Sequence, residues 1–280
     1  MKLRSLLIFG VAAIAIACIF YTPKKSGFSV ERLQLNVGAH PEWEITHEEK
    51  DLDLFNHLLL QKFTYLDRGT QSFAFQSADQ KYVIKFFDMK HLTPKTLLKL
   101  LPFQFSYKTR KLHNRQKRLE ETFSTVKLAY AELKEESGLR FVHLNNSKEL
   151  HQKITLVDRQ GKEWLVDLDG TAFIVQEKAQ VFLKHFHELI QKKDFEGLKR
   201  AEQSILDLIA RRCQKGFLDN DKGVIRNFGF VGNRAIQIDI GELVKDEKIK
   251  NNASLEVKRV QNKINAWKQQ SYPDLEIQVN

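Results

Sequence analysis

The sequence predicts an α+β protein in two lobes, an N-terminal antiparallel sheet plus helix followed by a short, mainly helical C-terminal lobe. Two patterns carry that expectation. Strand-like alternation and turn residues fill the stretch from Phe63 to Phe87 and return after Gly138, whereas helical spacing of apolar residues dominates from Glu177 to Lys215. The composition suits such a fold. Of 280 residues, 42% are hydrophobic and 29% charged, enough to bury a core and to exclude wholesale disorder. Only 5 prolines and 13 glycines exclude a collagenous or linker-dominated chain. The 2 cysteines, Cys18 and Cys213, exclude a disulfide framework and a structural zinc site.

Taken in order, residues 1–25 form a hydrophobic N-terminal segment. Lys2 and Arg4 precede an apolar run from Leu6 to Tyr21, and Lys24 and Lys25 follow it. A helix of that length falls a little short of a hydrocarbon layer of roughly 30 Å. Ala15-Ile16-Ala17 offers the small residues that a signal peptidase reads. The segment therefore predicts membrane attachment, as signal peptide or as transmembrane anchor, with export if it is cleaved and the side of the membrane open. Residues 26–60 read as a stalk and lead-in, ending in a helix at Asp51–Gln61. A first lobe spans 61–176. Its strands include Phe63 and Tyr65, then Phe73 and Phe75, then Tyr82–Phe87, and a basic insertion occupies 90–118. The helix Thr122–Glu136 carries Val126, Ala129, Tyr130 and Leu133 on one face and stops at Gly138. Strands follow at Arg140–Leu144, Ile154–Asp158 and Trp164–Val175. A second lobe, 177–250, holds two helices broken near Lys193-Asp194, a turn-rich loop Gly216–Arg226, and strands Phe228–Val231 and Ala235–Ile240. Residues 251–280 form a C-terminal helix, Ser254–Gln270, and a tail.

The formal net charge of +10 is concentrated in one place. Between Lys90 and Arg118 stand nine basic residues and no acid, interleaved with Leu97, Leu98, Leu100, Leu101, Phe103, Phe105 and Tyr107. Lysines among leucines and aromatics suit an anionic membrane surface, with Lys108, Arg110 and Lys111 as surface-contacting residues. A core helix followed by a solvated basic loop explains the run equally well. No nucleic-acid-binding motif accompanies it, so no nucleic-acid partner is expected.

Three segments in sequence point to phosphoryl transfer. A polar turn between two strands, Leu66-Asp67-Arg68-Gly69-Thr70-Gln71-Ser72-Phe73, leads into Val83-Ile84-Lys85. A loop, Gly216-Phe217-Leu218-Asp219-Asn220-Asp221, continues to Asn227, and Ile238-Asp239-Ile240-Gly241 follows. In that order they resemble the protein-kinase-like superfamily, closer to its sugar, lipopolysaccharide and aminoglycoside kinases than to regulatory protein kinases. The resemblance runs from Phe63 to Gly241 through order and spacing. It implies a protein-kinase-like two-lobed fold, ATP as co-substrate and Mg2+ as cofactor, with a hydroxyl acceptor that the sequence leaves unnamed. By the same resemblance Gly69 and Lys85 bind the nucleotide, and a glutamate on the next helix, Glu132 ahead of Glu136, steadies Lys85. Asp221 or Asp219 orients the attacking hydroxyl, and Asn227 and Asp239 hold the metal. The chemistry needs these groups because charge on the transferring phosphoryl must be met by a cation and by oxygen-bound magnesium.

Other classes remain open. Asp67 and Ser72 stand where hairpin glycines are usual, which suits a kinase-like scaffold without turnover. Trp164-Leu165-Val166-Asp167-Leu168-Asp169-Gly170-Thr171 resembles the first motif of haloacid-dehalogenase-type phosphatases, in which Asp167 would be the nucleophile and Asp169 the acid/base. That motif normally opens its domain, and here it follows much other structure.

Overall fold

The structure, a computed structural model, describes residues 27–92, 106–148, 150, 152–221 and 223–273. Helix α1 (Glu49–Leu59) leads into a meander of β1 (Lys62–Arg68), β2 (Ser72–Ser77) and β3 (Tyr82–Phe87). Helix α2 (Ser106–Glu132) comes next, then β4 (Leu139–His143), β5 (Lys153–Val157), β6 (Glu163–Asp167) and β7 (Phe173–Glu177). These strands form one seven-stranded sheet in the order β4-β7-β3-β2-β1-β5-β6. Its pairings are antiparallel except that of β1 with β5, which is parallel.

Period-two alternation decides which face each side chain serves. From β3, Ile84 and Phe86 pack with Phe55 and Leu58 of α1, joined by Phe73 and Phe75 of β2. The rings of Phe55 and Phe141 stack at 3.9 Å, nearly parallel. Phe87 points to the opposite face and packs with Phe123 and Val126 of α2. Lys85, two residues before Phe87, shares that α2 side.

The C-terminal half begins with β8 (Gln180–Val181) and helices α3 (Phe182–Gln191) and α4 (Phe195–Gln214). Asp194 caps α4 by accepting from the Gly197 amide at 2.7 Å. Short strands follow: β9 (Phe217–Asp219), β10 (Phe228–Val231), β11 (Arg234–Gln237) and β12 (Leu243–Lys245). They make a three-stranded sheet, β11-β10-β8, and a pair, β12-β9. The last helix, α5 (Ala253–Ser271), buries Val260 and Ile264 against Phe186, Ile205 and Ile209. Helix α2 joins the halves, because its apolar face also packs Phe217, Ile240 and Leu243. Thr125 Oγ1 adds a hydrogen bond to the Leu243 carbonyl at 3.2 Å.

The order of sheet, helix and helical half is the α+β plan expected, with local differences. The single strand expected over Trp164–Val175 is two, β6 and β7, because residues 168–171 turn back: the Thr171 amide and hydroxyl both donate to the Leu168 carbonyl. The helix expected from Thr122 begins at Ser106, so the basic residues from 106 onward are helical. It breaks at Leu133, and a final turn, Lys134–Ser137, ends at Gly138 with φ +67°. The positive φ is what calls for glycine, and a Cβ there would also lie 2.8 Å from Ile236 Cδ1, which would have to shift.

Membrane attachment is corrected. Among the described residues no helix is long and apolar enough to cross a membrane. The longest, α2, carries charged residues along its length. The apolar leader lies outside the described residues, as do the side chains of Lys108 and Lys111; Arg110 is exposed on α2.

Candidate active site

Lys85 is the first element of the site. Strand β3 holds its backbone between β2 and β7, opposite Ala74 and Ile174. The residue as a whole is half-buried, and its ammonium donates to the Ile238 carbonyl at 2.6 Å. Burial strips water from the ammonium and pulls its pKa down to about 8, which the neighbouring Asp239 carboxylate partly offsets.

The loop ending at Asn227 meets the same place. The Asn227 carbonyl accepts from the Ile238 amide at 2.7 Å and the Asp239 amide at 3.4 Å. Asp239 is exposed, and its Oδ1 accepts from the Gly241 amide at 3.1 Å, a local turn that fixes the carboxylate. Lys85, Asn227 and Asp239 therefore converge on residues 238–239, although they come from three segments far apart in sequence.

Two aspartates stand behind them in unlike surroundings. Asp219 is 6% exposed. Its Oδ1 accepts from the Asp221 amide at 2.9 Å, and its Oδ2 from Gln237 Nε2 at 2.9 Å and Asn227 Nδ2 at 3.4 Å. Burial pushes its carboxyl above the usual range despite those donors. Asp221 is half-exposed, accepting from the Gly223 amide at 2.7 Å and from Asn227 Nδ2 at 2.9 Å. Those two donors hold its pKa below the usual range. The pair thus divides into a closed carboxylate and an open one.

Not every expected residue joins this cluster. Glu132 pairs with Lys245, and its carbonyl accepts from Lys215 Nζ at 2.9 Å. Glu136 is buried against Lys215 at 2.8 Å. Both sit at the end of α2 and the turn after it, engaged with lysines of the C-terminal half rather than with Lys85 of β3. Gly69 lies at the β1–β2 hairpin, where its amide donates to the Ser72 carbonyl at 2.9 Å. The adjacent Arg68 reaches Asp88, just past β3, at 3.4 Å and ties the hairpin down.

The phosphatase-like motif has a structural explanation. Asp167 ends β6, which pairs antiparallel with β5 at the sheet edge, and is exposed. Asp169 accepts from Ser147 Oγ at 2.6 Å and the Leu150 amide at 3.0 Å, pinning the loop before β5. A phosphatase of that type needs its aspartates at the end of a buried parallel strand, and this edge hairpin does not supply one.

Sequence reasoning missed Gln237 and Arg212, the groups that line the buried side of Asp219. The signal was present at Arg212. It falls on the apolar stripe Ile205, Leu208, Ile209, Arg212, Cys213, where a charge demands a partner. A surface groove of about 510 Å³ lies elsewhere, between α4 and α5, lined by Ala210, Ser254, Val257, Lys258 and Gln261 among others. Among the described residues no cluster of three or more histidine, cysteine, aspartate or glutamate side chains is arranged to hold a metal.

No protein-family model matches the chain, and no curated protein matches it. Solved structures of the bifunctional kinase-methyltransferase WbdD are similar at 15% identity. One matches with a TM-score of 0.33, covering 69% of this chain and 34% of that one. A second has a TM-score of 0.34 with 71% and 37% coverage. A third, a complex with a kinase inhibitor, has a TM-score of 0.29 with 65% and 33% coverage. The chain spans about a third of the length of those structures. At these scores the likeness carries nothing about activity.

Proposed function

We propose that the chain is a kinase-like phosphotransferase that moves the γ-phosphoryl of ATP to a hydroxyl. The observation that carries this is the convergence of Lys85, Asn227 and Asp239 on residues 238–239, with the 2.6 Å bond from Lys85 to the Ile238 carbonyl at its centre. Lys85 would meet the nucleotide phosphates, as the lysine of a third strand does in kinases. The donor set fits magnesium, a hard cation held by one or two carboxylates together with substrate phosphates and water. Asp239 supplies a carboxylate. Asn227 has its amide nitrogen committed to the two aspartates, which leaves its side-chain oxygen as the atom that would serve as a metal ligand. Asp221, the open carboxylate, would accept the acceptor hydroxyl's proton, while Asp219 anchors the loop. Gly69 and its hairpin would cover the phosphates.

Isothermal titration of Mg-ATP into the full chain tests this. Wild type should bind, and Lys85→Ala and Asp239→Ala should each weaken binding by at least about tenfold. Absence of binding by wild type would sink the proposal. One observation favours a second reading, a kinase-like scaffold without turnover: Glu132 and Glu136 are both engaged away from Lys85. In that case nucleotide binds and no γ-phosphate is released or transferred.

A further inference from the structure

The candidate catalytic loop is gripped from behind by a buried relay that reaches the C-terminal helix. Arg212 of α4 is 1% exposed. Its Nη1 donates to Gln237 Oε1 at 2.8 Å and lies 3.7 Å from Asp219 Oδ2. Its Nη2 bonds Glu256 Oε1 of α5 at 3.3 Å. Gln237, held by the arginine through its oxygen, spends its amide hydrogens on Asp219 Oδ2 at 2.9 Å and the Asp239 carbonyl at 3.0 Å. Glu256 is itself 4% exposed, and Arg259 grips it with two bonds of 2.6 Å. One buried guanidinium thus stands between two buried carboxylates, one on the loop and one on α5. Among the described residues its Nε has no hydrogen-bond partner.

Such an arrangement is a poor way to gain stability alone, because desolvating three charges offsets most of their attraction. It is a good way to fix orientation, because a guanidinium fork accepts few geometries. We propose that Arg212 and Glu256 are positioning residues, through which α5 sets the orientation of Asp219 and Gln237 and hence of Asp221, Asn227 and Asp239. This rests on the phosphotransfer reading of that loop. It makes the C-terminal helix part of the site rather than a cap on the core.

Glu256→Gln keeps the size of the side chain and removes its charge. In the full-length variant, hydrogen exchange at the Asp221 and Gly223 amides, which donate to the Asp219 and Asp221 carboxylates, should quicken by about tenfold or more. Amides in β3 and the middle of α4 should keep wild-type rates. Mg-ATP affinity should fall by about tenfold while metal-free ATP affinity holds. Arg259→Ala, which leaves the Glu256–Arg212 bond in place, should give the same pattern more weakly and serves if the first variant does not fold. Unchanged exchange at residues 221 and 223, or faster exchange spread evenly through α4 and α5, overturns the proposal. Wild type that binds no nucleotide would remove the phosphotransfer reading, and the exchange measurements would still decide whether the relay holds the loop.

Discussion

Replacing Lys85 by methionine should change how stability depends on pH, in a direction fixed by the burial of its ammonium. In the unfolded chain the lysine titrates near 10.5, and in the folded chain near about 8. Between those values the unfolded state binds the extra proton, so stability rises with pH across that window. Below the folded pKa both states carry the charge, and the full desolvation penalty applies. Above 10.5 both are neutral and it is gone. The gap corresponds to about 3 kcal/mol, an upper figure because the Ile238 carbonyl keeps its bond to the amine on either side of the titration. Lys85→Met removes the titration while nearly preserving the stem. Urea unfolding of both proteins at pH 7, 8.5 and 10, followed by far-ultraviolet circular dichroism, isolates the effect, since the other titrating groups are common to both. Wild type should gain on the variant as pH rises, by a midpoint shift of about 1 M urea for a slope near 3 kcal/mol/M. A difference between the two that stays constant from pH 7 to 10 refutes the placement of a buried ammonium there.

Other expectations follow from particular contacts. Asp51→Ala should destabilise by about 2 kcal/mol in urea unfolding, because it strands the Tyr130 hydroxyl, 2.7 Å away, and leaves Lys134, 2.5 Å away, with Glu48 as its remaining carboxylate. Gly138→Ala should cost about 2 kcal/mol by thermal unfolding, from its positive φ and the contact with Ile236. Asp167→Asn, at an exposed edge, should leave both stability and nucleotide affinity within error; phosphomonoester hydrolysis that disappears in this variant would restore the phosphatase. Mg-ATP affinity of wild type should decline above about pH 8 as the Lys85 ammonium loses its proton.

Much of this was legible in the chain because the signals were local. The meander shows in alternation at Phe73, Phe75 and Tyr82–Phe87, and the end of the helix at Gly138 shows in one residue. Lys85, Asn227 and Asp239 could be named because each sits in a short motif with its own chemistry. What stayed hidden depends on partners far away in sequence. The turn at 168–171 that divides Trp164–Val175 into β6 and β7 is closed by Thr171 on the Leu168 carbonyl, but what holds it in place, Asp169 bonding Ser147 and the Leu150 amide, no window around Asp169 reveals. Glu132 was expected on Lys85 because helix register cannot say which flank of α2 meets the sheet and which meets Lys245. In the sequence Glu256 is one charge among several on the C-terminal helix. Only its place on the stripe with Val260 and Ile264 hinted that it was buried.

The parallel pairing of β1 with β5 bears on the order of assembly. The meander can zip up through its short turns as soon as Phe87 exists, but the outer edge of β1 must wait until Thr155 can reach Lys62. Closing so long a loop is slow, and meanwhile a row of unpaired amides and carbonyls stands open to any other extended chain. The hairpin of β5 and β6 therefore acts as a late-arriving guard on a nascent strand. Variants that delay it should reveal themselves first as aggregation during synthesis, before any loss of equilibrium stability.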